Sequence, residues 1–187
     1  MAGGGVTPDT CLALNRRCWA FDMIDHPKTR PEIEAHTWTV ERDNNQSWPI
    51  SSKVKPDLII FDPPYFNKMA AHYERNRISA LSRDEYVAFL ESFLTLMKDN
   101  AKKTTKLAFI NADWRNFQHT PAVEEIRKGS ILLEDYAAIL SKAGWEHTHT
   151  MYAPLSADRF TAVIVSAMQK KKIVGITGRY VIIASGK

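Results

Sequence analysis

The sequence predicts one α/β domain spanning residues 1–187, a twisted and mainly parallel sheet with helices on both faces. Three observations carry this expectation. Short apolar runs rich in β-branched and aromatic residues alternate with stretches whose apolar residues recur at helical spacing. Leu58-Ile59-Ile60-Phe61 is an unbroken apolar run, as expected of a strand buried on both faces of a parallel sheet. The chain also opens on a glycine triplet that feeds a helix, then a short strand that ends at an acid.

Gly3, Gly4 and Gly5 can take backbone angles closed to other residues and let a ligand approach the main chain. Thr7 reads as an N-cap, Pro8 as the first helical position and Asp9 as a first-turn acid, with the helix running through Leu14. A glycine turn leading into a helix amino terminus is a common cradle for dinucleotide-type cofactors, and a flexible chain start is the competing reading. Cys18 to Phe21 reads as a strand ending at Asp22. An acid there, roughly 20 residues past the glycines, is where a ribose-binding carboxylate is expected. Residues 23–56 are polar, with a short third strand over Ala35 to Val40, and His36 and Thr37 within it read as solvent-facing residues.

The apolar run over residues 58–61 stops at Asp62-Pro63-Pro64-Tyr65. Neither proline donates to a ladder, and each restricts the residue before it, so a stiff, extended turn follows the strand's carboxyl end. Ligands of open α/β sheets bind at that edge. A planar base with an exocyclic amine needs acceptors for its N–H groups and a flat face. The Asp62 carboxylate and a proline carbonyl supply the first, and Tyr65 supplies the second. Beyond it, Lys68, His72, Arg75, Arg77 and Arg83 interleave with Phe66 and Tyr73, which suits a phosphate-tracking loop or a solvated one.

Ser82-Arg83-Asp84-Glu85 is a capping box, followed by Tyr86, Phe89, Leu90, Phe93, Leu94 and Met97 on one helix face. Lys106 to Ile110 reads as a strand, and Asn111 to Asn116 as polar turn residues at its end. Leu132, Leu133, Tyr136, Ile139, Leu140 and Ala143 mark a second helix face, stopped by Gly144. Trp145 to Leu155 reads as a strand. Its His147 and His149 have the spacing of a metal half-site but no accompanying acid or cysteine cluster, so an exposed strand face is the preferred reading. Phe160 to Lys172 fits either a strand or a helix that ends in lysines, and Arg179 to Ala184 is a last strand.

The bulk numbers leave the function classes broad. A net charge of +4 is compatible with a polyanionic partner. Two cysteines, Cys11 and Cys18, make neither a disulfide framework nor a zinc site, and a reducing cytoplasm is the default expectation. No apolar run approaches the roughly 20 residues of a membrane span, and the first residues lack the pattern of a signal peptide.

Together, the glycine loop, helix, strand, acid and later D-P-P-Y turn resemble the amino-methyltransferases that methylate adenine N6 or cytosine N4 in DNA using S-adenosylmethionine. The resemblance spans nearly the whole chain. It implies a Rossmann-like methyltransferase fold with a late antiparallel strand, and it favours the helical reading of residues 160–172. It assigns cofactor contacts to Gly3, Gly4, Gly5 and Asp22, and catalysis to Asp62, Pro63, Pro64 and Tyr65. Phe66 would be a second wall to the base, and Lys68, Arg75 and Arg77 would contact DNA. No metal is implied. The family carries a buried strand before its glycine loop that is missing here, so a preceding segment or a partner chain is expected to complete the sheet. The interval from Asp22 to Asp62 leaves no room for a separate DNA-reading domain.

The implied reaction is direct methyl transfer to a flipped base of DNA, as in a site-specific modification enzyme of the restriction-modification kind. An aspartate at the first motif position favours adenine over cytosine. Two other readings stand beside it. One is a non-catalytic methyltransferase-like subunit that needs a partner. The other is an enzyme acting on RNA or on a protein side-chain amide.

Overall fold

The computed structural model describes residues 6–22, 34–37, 48, 53–66, 78, 81–114, 130–154, 162–171 and 178–186. The chain divides into two compact units, Met1–Lys55 and Pro56–Lys187.

The first unit holds helix α1, Val6–Ala13, and strands β1, Trp19–Asp22, and β2, Glu34–Thr37. The strands pair in parallel, with Trp19 opposite Glu34 and Asp22 opposite Thr37. Helix α1 begins at Val6, so Thr7 and Pro8 lie inside its first turn instead of forming its cap and first position. Its far end closes on Asn15, whose φ of 52° is left-handed. The Arg16 N–H reaches back to the Cys11 carbonyl at 2.8 Å and the Asn15 N–H to that of Leu12 at 2.9 Å. That is a Schellman ending with asparagine in glycine's usual place.

Among the described residues, the second unit holds seven elements. They are β3 (Leu58–Phe61), α2 (Arg83–Asp99), β4 (Lys106–Asn111), α3 (Leu133–Lys142), β5 (Trp145–Pro154), α4 (Ala162–Lys171) and β6 (Gly178–Gly186). Its sheet has the order β3-β4-β6-β5. Strands β3 and β4 are parallel, and β6 runs antiparallel between β4 and β5. The expected late antiparallel strand is therefore β6. The ambiguous run before it is the helix α4.

One face of this sheet carries the core. Ile59, Phe61, Leu107, Phe109, Ile182 and Ala184 are buried, as are Tyr86, Leu90, Phe93, Leu94 and Met97 of α2 and Tyr136, Ile139 and Leu140 of α3. Phe61 stacks between Phe93 at 5.1 Å and Phe109 at 5.5 Å, and Phe109 meets Tyr136 edge-on at 5.6 Å. Trp145 is enclosed and donates its indole N–H to the Leu94 carbonyl at 2.9 Å. The capping box predicted at Ser82 and Glu85 is present in both directions. Gly144 ends α3 with a φ of 82°, an angle that L residues rarely adopt.

Two expectations are corrected here. The run from Leu58 to Phe61 is not buried on both faces: Leu58 is 54% exposed and Ile60 39%. Among the described residues, β3 is the edge strand of its sheet, and α2 packs on the face of Ile59 and Phe61. His147 and His149 are both exposed, as the preferred reading has it, and the second correction concerns only their arrangement. A bulge at Thr148 sets His147 opposite Ala184 and His149 opposite Ile183, which are consecutive residues of β6. The two histidines therefore lie on opposite faces, and the i, i+2 spacing does not bring them together.

Candidate active site

The carboxyl ends of β3 and β4 lie beside the amino end of β6, because β6 alone runs in the opposite direction. Three segments distant in sequence converge there: Asp62 to Phe66, Asn111 to Trp114, and Gly178 to Tyr180.

Asp62 follows β3 directly and is half-buried, Pro63 is buried, and Pro64 and Tyr65 are half-buried. The turn is held from below by α2. Tyr86, fully buried in the first turns of that helix, donates its hydroxyl to the Pro64 carbonyl at 3.0 Å. Burial raises this phenol to about 12, while hydrogen bonding with the Asn111 side chain and the Phe66 backbone draws it back. By distance and angle, however, the Asn111 amide nitrogen is a buried donor without a partner. The amide lies beside the Tyr86 hydroxyl but makes no well-aligned hydrogen bond to it. The Asn111 amide oxygen is satisfied by the Ala112 N–H at 2.9 Å.

Tyr65 shows the electrostatics of the turn. Burial and the neighbouring Asp62 carboxylate push its phenol well above the ordinary range, the Arg179 guanidinium opposes them, and the hydroxyl is hydrogen-bonded to Asp62. Tyr65 is therefore a neutral donor at any physiological pH, and it fixes one side of the Asp62 carboxylate. The Arg179 guanidinium lies over the Tyr65 ring, 5.6 Å from its centroid.

Two more tyrosines tie the neighbouring turn into place. Tyr136 of α3 donates to the Ala112 carbonyl at 3.0 Å, and Tyr180 of β6 to Asp113 Oδ2 at 3.3 Å. The other Asp113 oxygen accepts the Leu133 N–H at 3.0 Å, so this acid caps α3 from a strand-end turn. Tyr180 packs on Tyr152 at 5.9 Å, and Tyr152 lies over Gly178, where a Cβ would come within 2.4 Å of its ring.

Of the site residues expected from the sequence, Asp62, Pro63, Pro64 and Tyr65 form one turn at the sheet's carboxyl edge. Phe66 is corrected. It is 7% exposed and packs on Tyr86 at 5.4 Å and Trp114 at 6.4 Å, so its ring supports the turn from the core and offers no free wall. Arg83 is not part of a phosphate loop: its Nε donates to the Ser130 carbonyl at 2.8 Å and its head pairs with Asp135 at 3.1 Å. Asp22 stands at the carboxyl end of β1, in the first unit. Gly3, Gly4, Gly5, Lys68, Arg75 and Arg77 lie outside the described residues.

Sequence reading missed Tyr86, Tyr136 and Arg179. The two tyrosines carry a faint signal, a hydroxyl at an otherwise apolar helix position, which in a core demands an acceptor. Arg179 carries none, because its place beside Tyr65 follows only from the reversed direction of β6.

No family model matches the chain, and no curated protein does. Among solved structures, a crystal structure described as a SAM-dependent methyltransferase from Methanosarcina mazei is similar over 99% of this chain and 89% of its own, with a TM-score of 0.55 and 11% identity. At that identity the likeness concerns the fold, and the chain has a Rossmann-like methyltransferase fold.

Proposed function

We propose that this protein transfers a methyl group from S-adenosylmethionine to the exocyclic amine of a DNA base, adenine N6 before cytosine N4. The observation that carries the reading is the D-P-P-Y turn itself, a carboxylate and proline carbonyls set rigidly at the carboxyl edge of a sheet of this fold. Supporting the cofactor half, the parallel pair β1–β2 ends with Asp22 at its carboxyl end. In open α/β sheets that is where an acid meets the ribose of an adenosyl group. Gly3, Gly4 and Gly5 would pass its methionine portion, and Asp22 would hold its ribose. When bound, S-adenosylmethionine would supply an electrophilic methyl group and leave as its neutral thioether, while the methylated amine gives up one N–H proton.

The chain's own residues do the rest by positioning. The lone pair of an aromatic amine is delocalised into its ring, so the nitrogen is a weak nucleophile. Asp62 and the Pro63 carbonyl accept its two N–H groups and draw the nitrogen towards tetrahedral geometry, which localises the pair. Because Tyr65 hydrogen-bonds to Asp62, the carboxylate is oriented before substrate arrives. The Tyr86 hydroxyl on Pro64 does the same for the backbone of the turn. The Tyr65 ring stacks the base, a contact worth about 1–3 kcal/mol.

The test offers DNA, RNA and protein together to the purified chain with labelled S-adenosylmethionine, beside Asp62→Ala and Asp22→Ala. Label should enter DNA as N6-methyladenine. Asp62→Ala should abolish transfer while cofactor binding persists, and Asp22→Ala should weaken that binding. Equal transfer by the Asp62 variant would refute the assignment of the site, and label in RNA or protein alone would move the substrate.

A further inference from the structure

Arg179 is a half-buried cation at the rim of the proposed active site, on a strand whose other role is to carry the core residues Ile182 and Ala184. Its guanidinium rests on the Tyr65 ring, and among the described residues no carboxylate pairs with it. Its Nε is buried without a hydrogen-bond partner. A buried donor left unmade costs about 1–3 kcal/mol, more for a charged group, and packing on a ring recovers only part of that. A group placed at such a cost beside a reactive turn needs an anion that arrives with the substrate.

Its position also limits which anion fits. With the cation on one face of Tyr65, only the opposite face is left to stack a base. A nucleotide stacked there brings its own phosphodiester to the edge of the ring, within the span of the fork-shaped guanidinium. A free amine or a peptide amide has no such charge to offer.

We infer that Arg179 anchors the phosphodiester of the target nucleotide, making β6 part of the nucleic-acid-binding surface. The inference rests on the methyltransferase reading above and narrows its substrate to a polynucleotide. A phosphate contact has a signature that a packing role lacks. Each neutralised phosphate contributes about 0.9 to the slope of log affinity against log salt on a duplex, and about 0.7 on a single strand.

The test is fluorescence anisotropy of the full chain with a labelled DNA duplex, and separately with an RNA of the same sequence, across a salt series, for the wild type, Arg179→Met and Arg179→Lys. Arg179→Met should bind more weakly at low salt, with the slope reduced by about one. Arg179→Lys should keep the wild-type slope. A wild type that binds with a slope unchanged in Arg179→Met overturns the inference and leaves the methyltransferase reading standing. Equal weakening in both variants, with both slopes intact, would also overturn it by making Arg179 a support for Tyr65. A wild type that takes up S-adenosylmethionine but shows no salt-dependent binding of DNA or RNA overturns the inference together with the nucleic-acid reading. Circular dichroism of each variant checks that it has folded.

Discussion

Tyr86→Phe isolates the support beneath the D-P-P-Y turn, because it deletes one oxygen and keeps the ring. The ring contact with Phe66 at 5.4 Å survives, so no cavity opens. What is lost is the hydrogen bond to the Pro64 carbonyl at 3.0 Å, together with the hydroxyl's contact with the Phe66 backbone. A typical buried hydrogen bond contributes about 0.5–1.5 kcal/mol net, and an orphaned partner adds to the loss. Because Pro64 is only half-buried, water can recover part of it, and a total of about 1–2 kcal/mol follows. For a chain of this size that lowers Tm by roughly 2–8 °C. Thermal unfolding followed by circular dichroism reads it directly.

The same substitution has a pH signature that a general loss of packing would not produce. The Tyr86 phenol titrates near 10 when unfolded and is raised to about 12 in the fold. Its folded form therefore holds the proton more tightly, so its contribution is full below pH 10 and is lost as pH rises from 10 towards 12. Two units correspond to roughly 2–3 kcal/mol across that window. Tyr86→Phe should thus be less stable than the wild type at pH 8, yet lose less stability on going to pH 11. Tyr65 and Tyr136 are also held high, in part by Tyr86 itself, so removing Tyr86 eases their alkaline loss and acts in the same direction. If methyl transfer is measurable, kcat should fall by roughly tenfold, because the turn is no longer pinned, while cofactor affinity is unchanged. An unchanged Tm together with an identical alkaline decline would refute the support role.

Three further outcomes follow from other parts of the structure. Asp113→Ala removes both the cap of α3 and the acceptor of Tyr180, and should cost about 1–2 kcal/mol in urea unfolding. Asp113→Asn keeps a capping oxygen and should cost less. Cys18, raised to about 11 by burial and then by its contact with Cys11, should react with a disulfide reagent at pH 8 roughly a hundredfold more slowly than free cysteine. Its rate should keep rising to about pH 11, and a plateau by pH 9 would contradict the burial of this thiol and its contact with Cys11. Ile59→Ala should cost about 2–4 kcal/mol, whereas Leu58→Ala, on the exposed face of the same strand, should cost less than about 1. Equal losses in urea titrations would mean that both faces are covered.

How much of this was legible beforehand depended on whether a feature is set locally. The capping box at Ser82 and the glycine stop at residue 144 are short-range geometry, and both stand where the sequence puts them. The end of β3 at Phe61 was legible for the same reason, since two prolines close the ladder whatever surrounds them. Asn15 was missed as the end of α1 because asparagine tolerates left-handed angles less often than glycine, so nothing marked this one out. The bulge at Thr148 has no composition cue at all. It is decided by pairing with β6, and one inserted residue was enough to separate two histidines that looked like a pair.

The apolar run over residues 58–61 shows the limit most clearly. Four apolar residues state that a strand can be buried on both faces, but only its neighbours determine whether it is. With α2 on one side and no second strand beyond β3 among the described residues, Leu58 and Ile60 remain in water. The D-P-P-Y turn depends on neighbours in the same way. Asp62 to Tyr65 were recognisable as a rigid, acceptor-rich tip, yet the groups that hold it arrive from α2 and β6. Tyr86 reaches the turn because the first turns of α2 pack beneath it. Arg179 reaches it because an antiparallel strand starts where its parallel neighbours end. That reversal places a cation against the aromatic ring of the D-P-P-Y turn, which a wholly parallel sheet, with every strand's amino end at the opposite edge, has no strand start to supply.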